Sequence, residues 1–495
     1  MMNGTPEWIT RSVSRLRTSA PAADKAGEKL AKAALDKSVT DVVAKVAVPR
    51  STNERLAATL RRGQEALSPR ALRRLLADLQ EVVAPQVSEI EGGRRAQAVA
   101  EWYAKAEPEE RRDMWLLMCE QFAPDATRFK SARQRYEAAA GTAEEGQAEI
   151  SLRRALVSPR TRLLQRFSAF PEGMRFLVDM RAEILPLLKA DKRLLPLDAE
   201  LEHLFSTWFD VAFLELRRLS WDSPASLLEK LIKYEAVHDI RSWADLKNRL
   251  DSDRRCYGFF HPRLPNEPLI FVEVALVDKI SASITPLLDE AAAPVDITRA
   301  TTAIFYSISN TQTGLRGVSF GDSLIKHVVE TLTAEFPRLR TFATLSPIPG
   351  FRAWLSKHAG AMLERLDDKR RAELGRAVGF EPPQATHLLG AIDKALELDA
   401  RSPVRQMLLE CAAYYLGREM QEGKPVDPVA RFHLGNGARV ERLNWAGDPS
   451  SKGQKQSYGL MVNYLYDLKR IDKHRSLLAQ GKVPVSGDID SLCRD

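Results

Sequence analysis

Residues Ala303–Leu345 constrain what this chain can fold into more than any other stretch. Ala303–Ser309 (AIFYSIS) is a short run of apolar, β-prone residues and reads as a buried strand. A loop with three glycines follows, Gly314, Gly317 and Gly321. From Asp322 the period changes, and Leu324, Ile325, Val328, Val329 and Leu332 take the spacing of one helical face. Thr341–Leu345 is strand-like again and runs into Ser346-Pro347-Ile348-Pro349-Gly350, a stiff turn that holds Ser346. A strand, a glycine-rich turn and a helix leave free N–H groups at the helix start, where phosphates bind. An ordinary βαβ unit has the same spacing, so the pattern alone leaves both readings open.

Arg316-Gly-Val-Ser-Phe-Gly321, opening a helix, resembles the R-x-x-G-x-G loop that holds the CoA diphosphate in GNAT acyltransferases, with Ser319 in place of that loop's first glycine. FYSIS, TQTGLRGV, TLSPIPGF, ARFHLGNGA with the NW after it, and GLMVNYLY together resemble malonyl-CoA decarboxylases. The likeness runs from about Arg241 to Leu468 and, more loosely, over the helices before it. Several separated motifs in one order are far more specific than any one of them. The resemblance implies an α+β protein with an N-terminal helical domain for oligomerisation, a dimer or tetramer. A GNAT-like mixed-sheet catalytic domain with a helical insertion follows.

The resemblance also implies a chemistry. Malonyl-CoA carries a carboxylate β to a thioester carbonyl, so loss of CO2 pushes electrons into that carbonyl and the substrate is its own electron sink. An enolate of acetyl-CoA forms and is protonated at carbon, with no metal or organic cofactor required. The protein anchors CoA, orients the carboxylate, stabilises the enolate and delivers a proton. His433 is the proton handler, because imidazole titrates near neutrality. Ser346 matches the family's catalytic serine, and Thr344, two residues earlier, is the rival hydroxyl. Arg316, Gly317, Val318, Ser319, Phe320, Gly321 and Asp322 form the expected CoA-binding loop, with Lys326 or Lys452 as candidates for phosphate charge. Ser307 and Tyr466 match family positions near the substrate.

Composition excludes other classes. A net charge of +7 over 495 residues suits an anionic ligand, but no basic stripe interleaved with aromatics marks a nucleic-acid surface. No apolar run is long enough to cross a bilayer. Cys119, Cys256, Cys411 and Cys493 are scattered, and the eight histidines lack metal-ligand pairing, so neither zinc nor disulfides are expected. Cytoplasm is the expected compartment: the end, Ser-Leu-Cys-Arg-Asp, is not the peroxisomal Ser-Lys-Leu, and acids dilute the N-terminal Arg and Ser. Breakdown of malonate and control of fatty-acid metabolism both fit as roles.

In chain order, residues 1–50 read as a loosely ordered arm, 51–190 as a helical domain and 191–495 as the catalytic domain. Ser68-Pro69, Ser158-Pro159, Ser223-Pro224 and Ser402-Pro403 are helix-start signals, and Ser242-Trp-Ala-Asp245 reads as a capping box. No strand is expected before Cys256, where a hairpin Cys256–Phe260 and Leu269–Leu276 begins. His261 and Glu273 lie in it and read as structural. Helices return over 352–427. Ala430–Leu434 is expected as a strand that turns at Gly435-Asn436-Gly437 into Ala438–Leu443, with Ser457–Leu468 helical. With no G-x-S-x-G, serine-hydrolase chemistry has little support. A GNAT-type acyltransferase and a non-catalytic CoA-binding scaffold are the competing classes.

Overall fold

A computed structural model describes residues 66–318, 320 and 324–493. The expected arm therefore lies outside the described residues, as do Ser319, Gly321 and Asp322 of the glycine loop. The chain divides into two compact units, one of residues up to Leu75 with Glu107–Ala123, the other of Leu76–Ala106 with everything from Pro124 on. In the first, the Asp113 carboxylate accepts the N–H groups of Ala66 and Leu67, both at 2.8 Å.

Among the described residues, helices fill the chain from Pro69 to Trp208: α1 (Pro69–Val82), α2 (Glu89–Lys105), α3 (Pro108–Gln121), α4 (Ala126–Ala139), α5 (Glu145–Leu156), α6 (Pro159–Ala169), α7 (Gly173–Ile184) and α8 (Leu195–Trp208). Proline opens α1, α3 and α6, where its missing N–H costs nothing. Trp115 and Met118 of α3 are buried.

The sheet begins earlier than expected. Glu215–Leu219, expected within a helix, is strand β1, paired antiparallel with β2 (Arg254–His261). Being at the sheet edge, it has no need of an alternating apolar pattern, and its charges guard that edge. Helices α9 (Ala225–Tyr234) and α10 (Trp243–Arg249) lie between, and the Ser242 hydroxyl caps α10 by accepting the Asp245 N–H at 3.0 Å. The hairpin partner β3 (Leu264–Val277) pairs with β4 (Thr302–Asn310), the short helix α11 (Thr285–Leu288) coming between them. Helix α12 (Leu324–Glu335) then carries the chain over to β5 (Thr341–Thr344), parallel to β4, as a βαβ unit requires.

After the two-residue β6 (Ser346–Pro347), the insertion forms α13 (Phe351–Glu364), α14 (Asp368–Val378), α15 (Ala385–Ile392) and α16 (Pro403–Gly417). A small ribbon, β7 (Met420–Gln421) and β8 (Lys424–Pro425), precedes α17 (Pro428–Gly435), β9 (Arg439–Asn444), α18 (Ser451–Ser457) and β10 (Met461–Leu465). Helices α19 (Ile471–Ala479) and α20 (Gly487–Leu492) close the described chain. The sheet order is β1-β2-β3-β4-β5-β10-β6, with β9 on β10. Ile304, Tyr306, Ala343, Leu345 and Met461 form one core cluster, while α9 and α10 cover Cys256, Phe260 and Phe271 in another.

Two further expectations are corrected here. Residues 430–434 are helix α17, not strand, because Asp427-Pro428 starts a helix: the buried Asp427 carboxylate accepts the Val429 and Ala430 N–H groups at 2.9 Å. Gly437, at φ +86°, ends that helix instead of turning a hairpin. Its N–H bonds to Leu434 O and that of Ala438 to His433 O, the paired closure of a Schellman motif. Ser457–Leu468 is not helical. Tyr458 and Gly459 take positive φ and end α18, and the apolar MVNYL becomes β10, which binds β5, β6 and β9.

Candidate functional site

Ser346 and His433 are 87 residues apart in sequence, yet the His433 Nε2 lies 3.3 Å from Ser346 Oγ. Ser346 is fixed by antiparallel pairing opposite Val462 of β10. His433 is carried by α17, whose N-terminal cap Asp427 also accepts from the Tyr415 hydroxyl at 3.3 Å and from the Gly350 N–H. Tyr466, just past β10, is 2.7 Å from His433 Nδ1, and its N–H donates to Phe342 O. Tyr464 stacks on the imidazole with ring centres 4.8 Å apart. On the far side, the Ser346 hydroxyl donates to Thr344 Oγ1 at 2.9 Å, and the Tyr464 N–H donates to the same oxygen.

Ser346, His433, Tyr466, Tyr464 and Thr344 are all buried, with Ser346 5% and His433 4% exposed. Burial pushes the Tyr466 hydroxyl well above its ordinary range, so it keeps its proton at neutral pH. That proton has one acceptor in the group, His433 Nδ1. The imidazole is itself neutral, since burial takes it from 6.5 down to about 3. A neutral ring that accepts at Nδ1 carries its hydrogen at Nε2, facing Ser346. Tyr466, His433, Ser346 and Thr344 thus form one continuous hydrogen-bonded chain around a neutral imidazole.

Desolvation has a cost that depends on pH. Burial likewise lowers buried His238, to about 4. Unfolded, each imidazole takes a proton below about pH 6.5, whereas the folded protein refuses it until pH 3 to 4. The stability these two groups contribute is complete above pH 6.5 and is lost as pH falls toward 3. We expect the urea midpoint to drop between pH 7 and pH 5, and to drop less in His433→Asn. An equal drop in the variant removes His433 from the acid response.

The glycine loop is held from the helical segment. Arg181 of α7, 2% exposed, donates from Nη1 to Gly314 O at 2.7 Å and to Arg316 O at 2.9 Å. Its Nε donates to Asp198 of α8 at 2.8 Å. Gly314 meets α7 so closely that a Cβ would sit 1.9 Å from Val178 O. Gly317 has φ +82°, Val318 and Phe320 are buried, and Phe320 O accepts the Val211 N–H. Arg181 was missed by sequence reasoning. The available signal was its place on the stripe with Leu177 and Ile184, where a charge needs a buried partner.

Other expected residues go elsewhere. Ser307, at a bulge of the β3–β4 pairing, donates its hydroxyl to Glu235, in a buried group with Ser309 apart from Ser346 and His433. Lys452 is committed to the carbonyls of Ala236 and Val237 and to Asp239, while exposed Lys326 lies 3.8 Å from Glu330. His261 packs edge-on to Phe209, and Glu273 meets Arg249 at 3.2 Å; burial pushes the Glu273 carboxyl up to about 8. Asn463, also missed, donates to Thr344 O at 2.6 Å and accepts from Asn444 at 2.9 Å, bracing the Thr344 end of the chain.

A mixed sheet that buries a hydroxyl–imidazole–phenol chain, together with a glycine loop braced by helices, defines an α+β protein with a hydrogen-bonded polar group kept away from water. Comparison with known proteins narrows the class. The family model for the malonyl-CoA decarboxylase C-terminal domain matches residues 212–495, and that for the N-terminal domain matches 122–209. The mitochondrial malonyl-CoA decarboxylase of Rattus norvegicus is 38% identical over 361 residues, 70% of this chain and 73% of that protein. The solved malonyl-CoA decarboxylase of Cupriavidus metallidurans is 44% identical, with TM-score 0.69, covering 86% of this chain and all of that one (100%). That of Agrobacterium vitis is 38% identical, with TM-score 0.74, covering 85% and 100%. The chain belongs to the malonyl-CoA decarboxylase family.

Proposed function

We propose that this protein decarboxylates malonyl-CoA to acetyl-CoA and CO2, using Ser346 and His433 and neither metal nor organic cofactor. The observation that carries the reading is the Tyr466–His433–Ser346 chain in a member of this family. The Ser346 hydroxyl bonds the malonyl group and hands a proton to the enolate carbon. His433 replaces that proton from Nε2 while its Nδ1 takes the Tyr466 proton, and the one solvent proton that each turnover consumes returns to Tyr466, so no phenolate is left in the resting site. Burial serves the first step as well, because a carboxylate out of water loses CO2 more readily, its charge dispersing into the thioester. Arg316–Asp322 hold the CoA pyrophosphate mainly through main-chain N–H groups; Ser319, Gly321 and Asp322 of this loop lie outside the described residues.

The helical domain, at about 51–190, joins copies of the chain into a dimer or tetramer, which the particle mass in light scattering reads directly. Cytoplasm remains our proposed compartment. Among the described residues no helix is long and apolar enough to cross a membrane.

Incubating the purified protein with malonyl-CoA alone tests the reaction. Acetyl-CoA and CO2 in equal amounts, without an amine acceptor, are expected. Turnover that appears only when an amine is added makes the protein an acyltransferase instead. Binding without turnover makes it a CoA-binding scaffold.

A further inference from the structure

A cavity of about 690 Å3 lies beside the segment that joins β3 to β4, closed on one side by β9, and neither Ser346 nor His433 borders it. Its volume is that of a small-molecule pocket. What sets it apart is the state of two arginines in its wall. Arg442 of β9 is half-buried and donates from Nε to Asn444 Oδ1 at 2.9 Å and Asn463 Oδ1 at 3.2 Å, and from Nη2 to Ile280 O at 3.2 Å. All three acceptors are neutral, so its charge is held in place but offset by no carboxylate. Arg254, 6% exposed, pairs through Nη1 with Asp253 at 2.6 Å and donates from Nη2 to Leu287 O at 3.3 Å, while its Nε is buried with no partner. A buried N–H without an acceptor is costly, and native proteins keep few of them.

Lys279 adds a third cation at the rim. Against these stand Asp278 and Asp253, and Asp253 is already taken by Arg254 and by the Val295 N–H. The lining thus keeps a surplus of about one positive charge, which suits a monoanion better than a phosphate dianion. The rest of the wall combines apolar Ile280, Leu287, Pro294 and Val295 with the polar Asn248, Ser281 and Ser283. Arg442, whose Nη1 donates to no protein acceptor, with the Arg254 guanidinium beside it, matches the oxygens of a carboxylate, and the apolar part of the wall matches a short hydrocarbon chain.

We propose that this cavity binds a small aliphatic monocarboxylate at a site separate from the CoA thioester site. Isothermal titration of the full chain with hexanoate, and with neutral hexanamide as control, tests it. Saturable binding of one hexanoate per chain is expected, unaffected by saturating acetyl-CoA, with hexanamide at least roughly tenfold weaker. Arg254→Met removes one of the two guanidinium charges in the wall and should weaken binding by roughly tenfold or more. Ala293→Trp places an indole in the cavity from an exposed loop position and should abolish binding while malonyl-CoA turnover persists. If Arg254→Met does not fold, Ala293→Trp together with Lys279→Met decides. The proposal falls if hexanoate does not saturate, if acetyl-CoA displaces it, if hexanamide binds equally, or if the folded variants bind like the parent chain.

Discussion

Replacing His433 by Asn is expected to lower turnover of malonyl-CoA by about 10²–10⁴-fold, the range of a general acid–base residue. CoA affinity should barely change, because the partners of His433 are Ser346 and Tyr466 and none belongs to the Arg316–Phe320 loop. Ser346→Ala should fall in the same range. Both changes cut one proton chain, so the double variant loses less than the product of the two single losses. Near-normal turnover in either folded variant removes that residue from the chemistry. Thr344 supplies the control, since its Oγ1 accepts from Ser346 at 2.9 Å. If Ser346→Ala is active and Thr344→Val is not, Thr344 is the reacting hydroxyl.

The second large effect sits away from that group. Arg181→Met keeps the aliphatic bulk but strands Asp198 and the carbonyls of Gly314 and Arg316. Removing one partner of a buried ion pair costs about 3–5 kcal/mol, since the other charge stays buried without compensation. We expect a loss of that order in denaturant unfolding, and weaker CoA binding as the loop slackens. Arg181→Met with Asp198→Leu should recover part of the stability, because the stranded carboxylate is gone, but not the CoA affinity. Unchanged affinity in Arg181→Met would falsify the link between α7 and the loop. Gly314→Ala probes the same contact sterically: with Val178 O in the way, helix and loop must part.

What could be read in the chain depended on how local its cause was. The β4–loop–α12–β5 unit was legible because each part has its own period, two for strands and 3.6 for the helix, within forty-odd residues. The hairpin from Cys256 was legible for the same reason. At α17, the eight-residue run PVARFHLG is too short for periodicity to separate helix from strand, and Gly435-Asn436-Gly437 serves a hairpin and a helix end equally. The deciding feature was Asp427-Pro428, a local start signal outweighed by the Asn-Gly turn. For β10, GLMVNYLY is apolar almost throughout because that strand is covered on both faces and paired on both edges, which sequence alone does not reveal.

The sequence by itself determined the residue types the chemistry needs, Ser346 and His433 among them, and the family motifs that contain them. Only the tertiary structure decided which of them meet. A side chain 87 positions away is brought to 3.3 Å by strand pairing on one side and a capped helix on the other, and no local spacing encodes that distance. The same holds for Ser307, whose place in the strand is local but whose partner, Glu235, is supplied by a helix end 72 residues earlier. Nor does composition show which arginine is buried. Arg181 looks like any other in its helix until α8 and the glycine loop close around it, and only then does desolvation make its three acceptors indispensable.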